Sequence, residues 1–190
     1  MPDLPFEPIQ WPRLPQVLIY LAGPSGSGKT AVAQQLADHH RFARISLADF
    51  CRREAERLGW PEDRRHLQQA GDRLRGTDPA TLGRLAVETC TPAGALGIVV
   101  DGVRLPEEGQ ALAWAGFAGV GVFASDWTRA RRLRARGEPW PPHPHPTEWE
   151  AGECFIDYLL PADALESPGL LLLRVSRLLR WARERADRAR

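Results

Sequence analysis

Gly23-Pro24-Ser25-Gly26-Ser27-Gly28-Lys29-Thr30 fits the pattern G-x-x-x-x-G-K-[ST], the Walker A phosphate loop. Immediately before it, Val17-Leu18-Ile19-Tyr20-Leu21 is a short apolar run that reads as a buried strand. Immediately after it, residues 31–37 are mostly good helix formers, with Val32 and Leu36 on one face. Strand, glycine-rich turn and helix, in that order, are the context that gives the pattern a physical meaning. Glycines let the chain curl so that backbone N–H groups face one anion, and the helix N-terminus adds its positive dipole end. The stretch therefore nominates Gly23, Ser25, Gly26, Ser27, Gly28, Lys29 and Thr30 as a phosphate cradle, with Lys29 reaching the outer phosphates and the Thr30 hydroxyl ligating Mg²⁺.

Lys29 is the only lysine, so the other 24 of the 25 Lys+Arg residues are arginine. A compact ammonium on a flexible stem persists at the position where a planar guanidinium fork fits worst. The formal net charge of +1 argues against binding to nucleic acid through bulk electrostatics. A length of 190 residues suits one domain with a small appendage. Three widely spaced cysteines, Cys51, Cys90 and Cys154, speak for a reducing, cytoplasmic setting without a disulfide framework. No apolar block, neither Val17–Ala22 nor Leu170–Leu173, approaches the length needed to span a membrane, and no basic-then-apolar leader pattern opens the chain. Asparagine is absent, which excludes the Asn-Lys-x-Asp base-reading motif and argues against a GTPase switch.

Residues 1–16 read as a proline-rich extended arm and residues 17–190 as the domain proper. A second strand is expected over Phe42–Leu47, ending at Ala48-Asp49-Phe50, with a helix from about Cys51 to Leu58. Pro61 is placed to begin a helix over residues 62–75, and Thr77-Asp78-Pro79 to cap the next, running to about Thr91. Gly97–Asp101 is the third strand, residues 105–115 a helix, and Gly119–Ala124 the fourth strand. Ser125-Asp126 opens an arginine-laden helix that stops at Gly137, and five prolines within residues 138–146 rule out regular structure there. A short fifth strand at Phe155–Leu160 and a closing helix from about Ser167 complete the pattern. Strands alternating with helices predict a three-layer α/β fold: a five-stranded, mostly parallel sheet with helices on both faces and a small helical lid.

Asp101 ends an apolar strand, where a carboxylate lies beside the phosphate loop and can hold the Mg²⁺ shell. Asp101-Gly102-Val103-Arg104-Leu105-Pro106-Glu107-Glu108 resembles the third-strand signature of small P-loop kinases, the group of nucleoside and deoxynucleoside monophosphate kinases and dephospho-coenzyme A kinases. Leu67–Arg75 resembles the acceptor-side helix of that group, Arg129, Arg132 and Arg136 its lid arginines, and His145-Pro146-Thr147-Glu148 the segment after the lid. The resemblance implies acceptor-side helices over about residues 48–91 and a lid over about 126–147. It also implies ATP and Mg²⁺; from guanidinium chemistry, Arg104 is a candidate clamp for an acceptor phosphate.

Independently of the resemblance, phosphoryl transfer is mostly positioning and cationic stabilisation, and Arg129, Arg132 and Arg136 share one helix face by i, i+3 and i+4 spacing. Asp49, at the end of the second strand, is a candidate general base for a hydroxyl acceptor, or a plain helix cap. Arg52, Arg53 and Arg65 are further candidate clamps. His143, His145, Glu148 and Cys154 fit no standard zinc spacing. The expectation is an ATP-dependent phosphotransferase whose partner is a small nucleotide-like acceptor. Two weaker readings stand beside it. One is a polynucleotide kinase using Asp49 as base and the C-terminal arginines on the backbone. The other is a nucleotide-gated module without kinase activity. Oligomeric state and acceptor identity have no code in one chain.

Overall fold

The computed structural model describes residues 17–90, 94–140, 145–163, 165 and 167–188. The expected arm over 1–16 and the centre of the 138–146 proline loop lie outside the described residues. The strands are β1 (Val17–Ala22), β2 (Phe42–Ser46), β3 (Gly97–Val103), β4 (Ala118–Phe123) and β5 (Tyr158–Pro161). The helices are α1 (Lys29–His40), α2 (Leu47–Arg57), α3 (Arg64–Arg75), α4 (Thr81–Glu88), α5 (Pro106–Trp114), α6 (Asp126–Ala135), α7 (Pro146–Trp149) and α8 (Pro168–Arg188). All five strands run parallel in the order β2-β3-β1-β4-β5. This is the expected three-layer α/β architecture.

β1 lies at the centre and shows why its sequence is apolar throughout. Alternate residues face opposite layers: Val17, Ile19 and Leu21 enter one core with Val32 and Leu36 of α1 and Val175, Leu178 and Leu179 of α8. Tyr20 and Ala22 enter the other, with Leu47 and Phe50 of α2, Leu82 of α4 and Leu112 of α5. The register sets Leu21 beside Asp101 and Asp101 beside Ser46. Parallel pairing thus brings the ends of β1, β2 and β3 to one edge of the sheet, where ligands of open α/β folds bind.

Several boundaries differ from expectation, each for a local reason. α2 begins at Leu47, not Cys51, because Leu47, Phe50 and Cys51 are buried together at i, i+3 and i+4 spacing. Asp49 therefore lies in the first turn of a helix and does not close a strand. Residues 61–63 are not helical, and Asp63 instead caps α3 by accepting from the His66 N–H. Asp78 does not cap α4. Its carboxylate accepts from the Ala80 N–H at 3.0 Å within the preceding turn, and α4 starts at Thr81. β5 starts three residues late because residues 155–157 are spent on tethers. The Gly119 N–H donates to Asp157 Oδ2 at 2.8 Å, and the Tyr20 hydroxyl donates to the Phe155 carbonyl.

Candidate active site

The phosphate loop occupies residues 23–28 between β1 and α1. Gly23, Gly26 and Gly28 all take positive φ, at 142°, 75° and 105°. Side chains rarely adopt such angles. Space gives a second reason at Gly26, where an added Cβ would stand 3.0 Å from the Arg129 carbonyl and 3.2 Å from Leu133 of α6. α6, in the segment expected to form the lid, lies directly against the loop.

The arginines of α6 meet the loop's backbone. Arg129 Nε donates to the Ser25 carbonyl at 2.9 Å, and its guanidinium lies 5.1 Å from the Trp140 ring centroid. Arg132 Nη1 donates to the Gly26 and Ser27 carbonyls at 3.1 and 3.0 Å, and Nη2 to the Ala162 carbonyl at 2.7 Å. These two side chains hold the carbonyls of Ser25, Gly26 and Ser27. Arg136 does neither; it is half exposed and pairs with Glu138 at 3.0 Å. Helical spacing located the shared face of Arg129 and Arg132 but not what it would meet. Asp163 fixes α6 from its other end, accepting from the Ser125 N–H and the Ser125 and Thr128 hydroxyls; those bonds hold its carboxyl below the usual carboxylate range.

Bracing of this kind makes a prediction. Arg132→Ala is expected to lower stability by ~1.5–3 kcal/mol, the cost of losing charged hydrogen bonds, and to weaken ATP binding by roughly ten-fold, ~1.4 kcal/mol. Urea unfolding and calorimetric titration read the two effects. Unchanged stability and binding, with only turnover impaired, would show that Arg132 works on the transferring group instead.

Lys29 is 6% exposed, and its Nζ donates to the Gly23 and Pro24 carbonyls at 2.7 and 2.9 Å. Burial, reinforced by the Arg104 charge and offset in part by Asp101 and Glu148, lowers its pKa to about 7. Asp101 is buried and pairs through Oδ2 with Arg44 at 3.0 Å, while its Oδ1 has no partner. The Ser27 hydroxyl is likewise buried without one. Buried polar atoms are normally hydrogen-bonded. Two such atoms within the strand-end cluster, beside a lysine folded back onto its own loop, fit a bound phosphate and its metal. Thr30, at the second position of α1, is exposed and lines the same cavity.

Arg104 Nη1 donates to Ser25 Oγ at 2.7 Å and to Glu148 Oε1 at 3.0 Å. Arg64, from the first turn of α3, reaches the same two groups and pairs with Glu138 at 2.7 Å. Buried Glu108 anchors this corner, accepting from Arg75 and from the backbone N–H groups of Arg104 and Leu105. A cavity of about 1280 Å³ opens from the loop toward α2, α3 and α4, and it is lined by nine arginines, Lys29 and four carboxylates.

Asp49 does not join this group. It is exposed and paired with Arg52, and the cavity wall at that point is Ala48 and Arg52. Arg53 stacks on Phe50 instead. Arg64, Arg44, Glu108 and Glu148 were not nominated as site residues by sequence. Only Glu108 carried a local signal: a glutamate two residues after a helix-opening proline can reach back to the cap N–H. Of the four residues weighed for zinc, His145 meets Asp72 at 3.0 Å, Cys154 is buried in the core, Glu148 belongs to the arginine cluster, and His143 lies outside the described residues. No group of three or more metal-ligating His, Cys, Asp or Glu occurs among the described residues. Burial pushes the three thiols up, to about 11 for Cys51 and Cys90 and about 12 for Cys154, so none is poised as a nucleophile.

No helix among the described residues is long and apolar enough to cross a membrane. No curated protein matches the chain in sequence. Among solved structures, shikimate kinase from Bacteroides thetaiotaomicron superposes with a TM-score of 0.57 at 16% identity, covering 87% of this chain and 97% of that one. Shikimate kinase from Acinetobacter baumannii in complex with shikimate gives 0.54 at 12%, covering 86% and 93%. A gluconokinase from Sinorhizobium meliloti 1021 gives 0.51 at 17%, covering 94% and 100%. At these identities the likeness establishes the fold. None of these three is a nucleoside monophosphate or dephospho-coenzyme A kinase, so that branch rests on the sequence resemblance alone. A family profile described as an AAA domain matches residues 19–144, from β1 through the phosphate loop, Asp101 and α6. The chain belongs to this AAA domain family of phosphate-loop proteins.

Proposed function

We propose that the protein is an ATP-dependent kinase that moves the γ-phosphate to a small, anionic, nucleotide-like acceptor. The observation that carries the reading is the convergence of Lys29, Arg64, Arg104 and Asp101 on the mouth of an arginine-lined cavity at the ends of parallel strands. Kinase chemistry asks for this: in-line positioning and cations around the equatorial oxygens. The loop N–H groups and Lys29 hold the donor phosphates. Thr30 and Asp101 would hold Mg²⁺, which neutralises charge on the phosphate oxygens when bound. Arg44 keeps Asp101 oriented through Oδ2 and leaves Oδ1 available. Arg104 and Arg64 face the place where donor and acceptor groups meet.

An anionic acceptor follows from the lining, where nine arginines outnumber four carboxylates. A phosphate acceptor needs no general base, which accords with Asp49 lying outside the cavity wall. The polynucleotide alternative loses support, because no cavity-lining residue comes from α8 and its arginines. The test is ADP release with ATP·Mg²⁺ and a panel of nucleoside monophosphates, deoxynucleoside monophosphates and dephospho-coenzyme A, with shikimate and gluconate included because of the fold neighbours. Acceptor-dependent release with one phosphate-bearing compound supports the reading. Release only with a phosphate-free acid would move the acceptor class, and no release with any would leave a nucleotide-binding module.

A further inference from the structure

Glu148, on the four-residue helix α7, has no place in the mechanism above, yet its carboxylate sits within it. Its side chain is 7% exposed. Oε1 accepts from the phosphate-loop hydroxyl of Ser25 at 3.2 Å, from Arg104 Nη1 at 3.0 Å, and from Arg64 Nη2. Oε2 is buried with no partner. A carboxylate gripped by a phosphate-loop hydroxyl and two guanidinium groups is held as a substrate oxyanion would be held.

We propose that Glu148 is an internal counter-anion: it occupies the donors of Ser25, Arg64 and Arg104 in the ligand-free protein and yields them to a substrate phosphate. The proposal rests on the phosphate-site reading of the loop. Its electrostatic logic is exclusion. Lys29, Arg64 and Arg104 repel one another without an anion among them, whereas two anions cannot share the same three donors. Glu148 therefore stabilises the empty site and competes with the filled one. A four-residue helix has little stability of its own, and buried Ala151 and Cys154 anchor the chain just beyond it. The Glu148 turn can swing out while the segment stays attached.

The test compares full-length wild type with Glu148→Gln, which keeps the shape and removes the charge, using inorganic tripolyphosphate as probe. Without probe the variant is expected to melt at lower temperature; by calorimetry it binds tripolyphosphate at least about ten-fold more tightly, ~1.4 kcal/mol. At saturating probe the two melting temperatures converge, because the contact removed is absent from the bound state. Equal or weaker binding, with the same melting deficit in both states, would overturn the proposal and make Glu148 a fixed positioning group. Hydrogen exchange on the wild type decides independently should the variant not fold. Amides of residues 145–153 exchange faster with probe bound if Glu148 is displaced, and slower or unchanged if it is not. No acceptor or turnover enters these measurements, so a failed kinase assay leaves them standing. Absence of probe binding to the wild type would remove the phosphate-site reading and this proposal together.

Discussion

Lys29→Met is expected to abolish measurable ATP binding and to lower phosphotransfer by at least ~10²–10³-fold, the usual cost of losing one preorganised donor to a developing anion. The fold should survive, because methionine fills a buried apolar path as well as the lysine stem does. Lys29→Arg should be no rescue. Lys29 is 6% exposed and both its bonds run to carbonyls of its own loop, a space shaped for an ammonium. Arginine cannot shed its proton when buried, so that variant should also be less stable than the methionine one, as urea unfolding will show.

The same burial predicts a pH signature. In the ligand-free folded protein Lys29 gives up its proton near pH 7, against 10.5 for an unperturbed lysine. Between those values the unfolded chain holds more protons, so stability from this group rises with pH through that window, and its burial penalty is felt in full below about pH 7. Lys29→Met should flatten this component of the stability–pH curve. Phosphates restore the charge on the ammonium, so at pH 8 ATP binding should take up close to one proton. Calorimetry in buffers of different ionisation enthalpy measures that uptake, and it should fade as the wild-type titration is moved well below pH 7, where the ammonium is already charged. A wild-type titration with no proton uptake would mean that Lys29 is already charged in the empty site.

What could be read in advance was local in sequence. The phosphate loop is eight consecutive residues whose glycines answer to backbone geometry, and β1 and α1 flank it directly. Asp101 was legible because an apolar run ending in an acid is itself a local pattern. Arg64 and Glu148 meet across 84 residues, and nothing near either one announces the other. Arg129 and Arg132 were placed on the right face, but whether a helix face meets a ligand or a loop's carbonyls depends on how closely α6 packs on Gly26. Asp49 lies in the first turn of α2 and not at a strand end, because burial of Leu47, Phe50 and Cys51 on one face starts the helix at Leu47. Boundaries decide such cases, and boundaries follow from core packing that a single sequence does not print.

Glu108 carries the other large effect, and on stability. It is fully buried at the third position of α5. Oε1 accepts from Arg75 Nε and Nη2 at 3.0 and 2.7 Å, and Oε2 from the N–H groups of Arg104 and Leu105 at 3.0 and 3.2 Å. One carboxylate thus ties α3 to the turn after β3 and satisfies two donors that the helix start leaves open. Glu108→Ala leaves the Arg75 guanidinium, only 10% exposed, with only the longer 3.4 Å contact to Asp72 Oδ1, and orphans both amides at once. The expected loss is ~3–5 kcal/mol, a fall in melting temperature on the order of 10 °C for a chain this long. Arg75→Met should cost a similar amount by stranding the carboxylate. A Glu108→Leu, Arg75→Met double variant should cost clearly less than the two single losses added, because removing both charges leaves no unpaired one behind. Strict additivity would mean that the pair contributes nothing as a pair. The amide of Arg104 adds a functional consequence: even where Glu108→Ala remains folded, Arg104 loses its backbone anchor at the phosphate loop, so ATP affinity should fall with stability. In the double variant stability should recover while affinity does not. That separation distinguishes a carboxylate that only holds the fold from one that also aims Arg104.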